Sequence, residues 1–157
     1  MSFVHPTPIV LCACQPRVGK FVAEKLMPEF EVIHFISNIE QAKTDIAAIM
    51  AGDEPPRDPD NVSSHNFSRL PRHVVFGRGF QAQLQEVRES SGSAEWGLCW
   101  YRAAVPPGNL PSEMPDMCEI ADETIDFNTN IVAGNMKRVL SNVISEGKEG
   151  IDGVYAL

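Results

Sequence analysis

The stretch PIVLCACQPRVGKFVAEK, residues 8–25, decides the fold. Its first part, residues 9–14, is a continuous apolar run, which predicts a central parallel strand covered on both faces. After the turn at Pro16, apolar side chains recur at helical spacing up to Leu26, and Pro28 ends this helix. The stretch therefore predicts a β-strand, a tight turn and a helix, which together form the opening unit of an α/β domain.

The chain that follows repeats this alternation. Residues 31–36 predict a second strand, Ser37-Asn38 offers an N-cap for a helix over residues 39–50, and Gly52 suits the C′ position of that helix. Later strands are predicted at residues 73–76, 94–101 and 153–157, and later helices at about 80–89 and 124–146. The alternation predicts right-handed crossovers and a parallel sheet.

Two segments interrupt this pattern. Residues 53–72 are rich in Pro, Asp, Asn and Ser and form a long surface excursion, which the sequence leaves open as an ornament, a lid or a partner-contact loop. Residues 105–115 contain four prolines and predict an irregular wrapping loop. We therefore expect a single domain over residues 1–157, a three-layer α/β sandwich with a mainly parallel sheet of four to five strands.

Composition and charge narrow the classes of partner. The formal net charge is −8, and both nucleic acid and anionic membranes require a basic face, so neither is expected to bind. No run approaches the ~20 apolar residues of a membrane helix, which favours a cytoplasmic protein. The four cysteines show no C-x-x-C spacing, and no histidines, cysteines or carboxylates recur at metal-ligand spacing, so no metal is predicted.

The candidate binding site follows from the predicted sheet. Ligands of an open parallel sheet bind outside the carboxyl ends of the strands, where the connections part. Three of the four main predicted strands have a cation at that end. In an acidic chain this placement predicts a small anionic ligand, held by guanidinium groups and by the N-terminus of the first helix. The predicted ligand-binding residues are Arg17, Gly19, Lys20, Ser37, Asn38, Gly77, Arg78, Gly79 and Arg102.

The turn after the first strand departs from the known phosphate-binding fingerprints. A dinucleotide fingerprint needs three glycines, and the turn has only Gly19. A Walker A loop needs glycine at position 14 and a hydroxyl at position 21, where the chain has Cys14 and Phe21. The turn is therefore a candidate binding site because it follows the end of a predicted central strand, and not because it contains a known motif.

Over residues 8–104, the pattern of strands and helices resembles small Rossmann-like or flavodoxin-like proteins that lack a complete cofactor fingerprint. The resemblance supports the fold and not a particular reaction. For the anionic ligand predicted at the strand ends, we expect a nucleotide cofactor such as NAD(P) or an acidic metabolite. If the chain is an enzyme, oxidoreductase or isomerase-type chemistry on an organic acid is expected, with Cys14 or His34 as the acid/base residue.

Two other functions remain open from the sequence. The spacing of Cys12 and Arg17, C-x4-R, is similar to the C-x5-R loop of the low-molecular-weight tyrosine phosphatase and arsenate reductase group, in which a low-pKa thiolate attacks an oxyanion. This chain has one intervening residue fewer and lacks the hydroxyl after the arginine. The other alternative is a non-catalytic binding or assembly module, whose last long helix and acidic C-terminal part contact a protein partner or a second copy in a homodimer.

Overall fold

The computed structural model describes residues 6–13, 16–27, 29–56, 62–76, 84–91, 97–102, 122–148, 151 and 153–156. The strands are β1 (Thr7–Cys12), β2 (Phe30–Ile36), β3 (His73–Phe76), β4 (Cys99–Arg102) and β5 (Gly153–Ala156). The helices are α1 (Pro16–Leu26), α2 (Ile39–Met50), α3 (Leu84–Ser91) and α4 (Asp122–Ser145). The predicted alternation is confirmed, while the predicted loop over residues 105–115 lies outside the described residues.

The five strands form one parallel sheet in the order β2-β1-β3-β4-β5. The predicted α/β class with a parallel sheet is therefore confirmed, and the order is the one found in flavodoxin-like folds. The last residues of all five strands pair with their neighbours in a single row across the sheet, in the order Ile36, Cys12, Phe76, Arg102 and Ala156. This row marks the edge at which the candidate site was predicted.

Helices cover both faces of the sheet. Helices α1 and α4 pack against each other on one face, and α2 and α3 pack against each other on the other. Each face has its own apolar core, and adjacent residues of a strand contribute to different cores, as with the fully buried Trp100 and Tyr101. The chain moves in the same direction across the sheet from β3 to β4 and from β4 to β5, so two connections of the same hand would place α3 and α4 on the same face. Instead, α4 lies on the other face, beside α1.

Helix α2 is capped at both ends as its sequence predicts. The Asn38 side chain accepts hydrogen bonds from the backbone N–H groups of Glu40, at 2.8 Å, and Gln41, at 3.4 Å. At the other end Gly52 has a φ of 94°, and its N–H bonds the Ile49 carbonyl while the Asp53 N–H bonds the Ala48 carbonyl. This pair of bonds is a Schellman motif, which requires a residue that tolerates positive φ.

The second part of the excursion covers the outer edge of the sheet. The N–H groups of Ser64 and His65 donate to the carbonyls of Val32, at 2.9 Å, and Ile33, at 3.1 Å. Since β2 is the edge strand, these bonds satisfy backbone groups that would otherwise offer a template for another strand.

No helix in the described part of the chain combines the length and apolar character needed to cross a membrane.

Candidate functional site

The strand order has its switch point between β1 and β3, and the region at the carboxyl ends of these two strands is called the crevice below. From β1 the chain passes to β2 through α1 on one face, and from β3 it passes to β4 through α3 on the other face. The two connections part at the carboxyl ends of β1 and β3, which is where open α/β sheets bind ligands. The predicted site residues Cys14, Gly77, Arg78 and Gly79 lie outside the described residues, so their predicted roles stay predictions.

One side of this crevice carries the start of α1. The helix begins at Pro16 and has no acidic residue in its first turn. Arg17 is half-buried there, and its charge adds to the partial positive charge of the helix N-terminus, which favours an anion on this side. The predicted ligand-binding residue Lys20 lies elsewhere: it is exposed and lines a cavity with Glu31 and Val62 at the outer edge of β2.

The other side carries Arg102. It is the last residue of β4 rather than a residue after the strand, and its side chain is exposed. Because neighbouring strands lie ~4.8 Å apart and β3 lies between β1 and β4, the backbone of Arg102 is about 10 Å from that of Cys12. Arg17 and Arg102 therefore belong to strand-end segments on either side of β3.

Two predicted ligand-binding residues have structural roles. The side-chain oxygen of Asn38 is engaged as the N-cap of α2. Gly19 is buried against β2, and a Cβ atom at this position would lie 2.5 Å from Cε2 of Phe35. Glycine at position 19 is thus explained by the close packing of α1 on the sheet. Ser37 follows β2 and is exposed at the same edge.

The predicted acid/base residue His34 lies below the crevice rather than in it. It is two residues before the end of β2, which places it about 6–7 Å from the last row of the sheet, and it is fully buried. A bulge decides which way it points: Ile9 pairs with Val32 and Val10 pairs with His34, so Ile33 is an extra residue. The bulge resets the alternation of β2 and directs His34 to the α2 face.

On that face His34 forms a buried pair with Asp45 of α2. Its Nε2 atom lies 2.8 Å from Oδ2 of Asp45, whose side chain is 10% exposed. Gln41, one turn earlier on α2, donates to the same carboxylate oxygen at 3.0 Å. A carboxylate that accepts from Nε2–H leaves Nδ1 as the basic nitrogen of a neutral imidazole, which is the arrangement of a histidine general base.

That basic nitrogen has no hydrogen-bond partner among the described residues. Nδ1 of His34 is buried, and so is Nδ1 of His65, which is likewise without a partner in the described part of the chain. Leaving a buried nitrogen unpaired costs about 1–3 kcal/mol. The ring of Phe67 contacts both imidazoles, with centroid separations of 6.0 Å to His34 and 4.8 Å to His65.

Asp45, Gln41, His65 and Phe67 were not identified from the sequence. One signal for Asp45 was present: it lies three residues after Ala42 and directly before Ile46, within the apolar stripe of α2. A carboxylate at such a position is seldom buried unless it has a partner. His65 and Phe67 carried no such signal, because they lie in a segment without periodicity.

Cys12 has properties opposite to those of a catalytic thiolate. It is buried at the end of β1, and burial, together with the nearby negative charge of Asp45, raises the pKa of its thiol far above the ordinary value. A nucleophilic cysteine needs a lowered pKa and access to its substrate. This environment argues against the phosphatase interpretation of Cys12 and Arg17.

The raised pKa of Cys12 predicts an alkaline loss of stability. The unfolded chain releases the thiol proton above about pH 8.5, whereas the folded chain retains it, so the free energy of unfolding falls by up to about 1.4 kcal/mol per pH unit above that point. Urea unfolding at pH 8, 9 and 10 measures this slope, and the Cys12→Ala variant provides the reference because it lacks the thiol. Parallel pH profiles for the two proteins would contradict the prediction.

Within the described ranges, no three side chains of His, Cys, Asp or Glu come together as a metal site would require.

Comparison with known proteins identifies one informative relative. "Kojic acid related protein 6" of Aspergillus oryzae (strain ATCC 42149 / RIB 40) is similar to this chain, with 30% identity over 110 residues. The match covers 69% of this chain and 64% of the relative, so the chain spans less than two thirds of that protein's length. No protein-family model matches the chain. No solved structure matches it either.

Proposed function

We propose that this protein binds a small anionic molecule, a nucleotide cofactor such as NAD(P) or an acidic metabolite, in the crevice between the carboxyl ends of β1 and β3. The observation that carries the proposal is the parallel order β2-β1-β3-β4-β5, which has its switch point between these two strands. Arg17 on the first turn of α1 and Arg102 at the end of β4 supply positive charge on either side of that point.

The reaction, if the protein is an enzyme, is proposed as oxidoreductase or isomerase-type. Asp45 holds the imidazole of His34 in the tautomer that accepts a proton at Nδ1. Since His34 is fully buried two residues before the end of β2, it is not exposed to a ligand in the crevice, and the proposed reaction does not rest on it. The buried thiol of Cys12 makes the phosphatase alternative the weaker one. The printed name of the Aspergillus oryzae relative refers to kojic acid, which is therefore included among the ligands to be tested.

Isothermal titration with NAD⁺, NADP⁺, FMN, ATP, inorganic phosphate, citrate and kojic acid tests the proposal. At least one anion is expected to bind, and Arg17→Gln or Arg102→Gln is expected to weaken that binding about three- to tenfold, since each removes a charge-assisted contact. Arg138→Gln is the matched control, because Arg138 is exposed on α4 and its loss changes the net charge equally. If no probe binds, or if all three variants bind alike, the crevice is not an anion site.

The second candidate function is assembly into a homodimer through β5. In the described part of the sheet β5 pairs with β4 on one side only, and Ile151 and Val154 are 59% and 39% exposed at this edge. An open edge with apolar side chains suits the addition of a strand from a second copy. Light scattering would show a dimer for the native protein and a monomer for Val154→Lys; a native monomer would exclude this candidate.

A further inference from the structure

Residues 62–70, here called the strap, pass around the outer edge of β2 from one face of the sheet to the other. Val62 packs into the core beneath α1 and α4, whereas Phe67 packs against the core beneath α2 and α3. Between them, the N–H groups of Ser64 and His65 bond the carbonyls of Val32 and Ile33. The strap therefore covers the outer edge of β2 and places Phe67 beside His34 on the α2 face of the sheet.

Two buried imidazole nitrogens, one on the sheet and one on the strap, lack a hydrogen-bond partner among the described residues when the strap is closed. Nδ1 of His34 belongs to the sheet and Nδ1 of His65 belongs to the strap, and both are buried without a hydrogen-bond partner in the described structure. Phe67 lies in contact with both rings. Buried polar groups are nearly always paired, so two unpaired nitrogens on rings that both lie beside Phe67 indicate groups that are hydrated or bound in another state.

The strap is attached by separate contacts rather than by strand pairing along its whole length: besides the two bonds to β2, Asn66 donates to the carboxylate of Glu31 at 3.5 Å and Arg69 donates to the carbonyl of Pro6. His65 has a φ of 57°, an unfavourable conformation for a residue with a side chain. Beyond Phe67, Ser68, Arg69 and Leu70 are exposed. Segments with few buried apolar contacts and exposed neighbours are the ones that open locally while the remainder of the fold stays intact.

We propose that the strap opens as a unit and exposes Nδ1 of His34, the proton-accepting nitrogen of the His34–Asp45 pair, to small molecules that carry a hydroxyl group or to water. In the closed state Phe67 shields the imidazole. In the open state the sheet, α2 and the Asp45 hydrogen bond remain in place, so the base is already oriented when it becomes accessible. The strap thus controls access to His34.

The chain contains an internal reference for this opening. His73 is as fully buried as His34, but it lies in the central strand β3, and its Nδ1 is bonded to the hydroxyl of Tyr101 at 2.8 Å. Global unfolding exposes both histidines, whereas opening of the strap exposes His34 alone. The ratio of their reactivities therefore separates the two events.

Brief treatment of the native protein with diethyl pyrocarbonate, followed by peptide mass spectrometry, measures this ratio. His34 is expected to react at least about ten times faster than His73, because local opening is more frequent than global unfolding. Phe67→Ala is expected to raise the rate at His34 at least about fivefold and to leave the rate at His73 unchanged.

Phe67→Leu serves as the milder variant should Phe67→Ala not fold, and it is expected to raise the rate at His34 by a smaller factor and to leave the rate at His73 unchanged. Equal protection of His34 and His73 in the native protein would overturn the proposal. So would a parallel rise of both rates in the leucine variant, because residues 62–70 would then be a fixed part of the core.

Discussion

Replacing Gly19 with alanine is expected to lower the free energy of unfolding by about 1–3 kcal/mol. The added Cβ atom would lie 2.5 Å from Cε2 of Phe35, and both residues are buried between α1 and β2, so the helix or the ring must shift. The gain in helix propensity from glycine to alanine offsets only part of this cost. Urea denaturation of the variant measures the difference.

Gly134→Ala is the matched control, because Gly134 also lies in a helix but has open space where its Cβ would be. That substitution is expected to raise the free energy of unfolding by roughly 0.5–1 kcal/mol, so the two glycines give effects of opposite sign. In a Phe35→Leu background, Gly19→Ala should cost less than in the native protein. An equal cost in both backgrounds would mean that Phe35 is not the reason for glycine at position 19.

Replacing Asp45 with alanine is expected to cost about 1.5–3 kcal/mol, the range for a buried hydrogen bond to a charged group. The substitution removes the partner of His34 Nε2 and leaves the buried imidazole without any hydrogen bond among the described residues. It also removes the acceptor for Gln41. Equilibrium unfolding at pH 7 gives the value.

A double-mutant cycle with His34→Ala isolates the pair. A coupling energy of about 1–3 kcal/mol is expected between positions 34 and 45, because each single variant leaves the other side chain buried without the hydrogen bond between them. Asp53→Ala, which removes an exposed carboxylate just beyond α2, is the control and should be nearly neutral. A cost for Asp45→Ala no larger than that of Asp53→Ala would show that the buried pair does not stabilise the fold.

The elements of the fold were predictable because their signals are local. The bounds of α2 and β3 follow from Asn38, Gly52 and short apolar runs, and the structure has both elements at the predicted residues. The order of the strands was not predictable, because it depends on which faces the helices cover. The position of α4 beside α1 illustrates this, since an amphipathic helix fits either face of the sheet equally well by its spacing.

The candidate site was predictable only in part, for related reasons. The edge that carries Arg17 and Arg102 follows from the alternation of strands and helices. The orientation of His34 does not, because it depends on a bulge at Ile33 that changes the face to which each later residue of β2 points. His65 and Phe67 meet His34 only because the excursion returns along β2, a contact between distant segments that no periodicity encodes.

The contact between α1 and α4 also bears on how the chain is made. The apolar side of α1, with Val22 and Leu26, shares its core with Met136 and Leu140, which are synthesised more than 100 residues later. At a ribosomal rate of about 5–20 residues per second, that interval lasts roughly 5–20 s. During it the nascent domain exposes one bare face of α1 and the sheet beside it, which is the kind of surface that chaperones bind. Completion of the fold therefore waits for translation of α4.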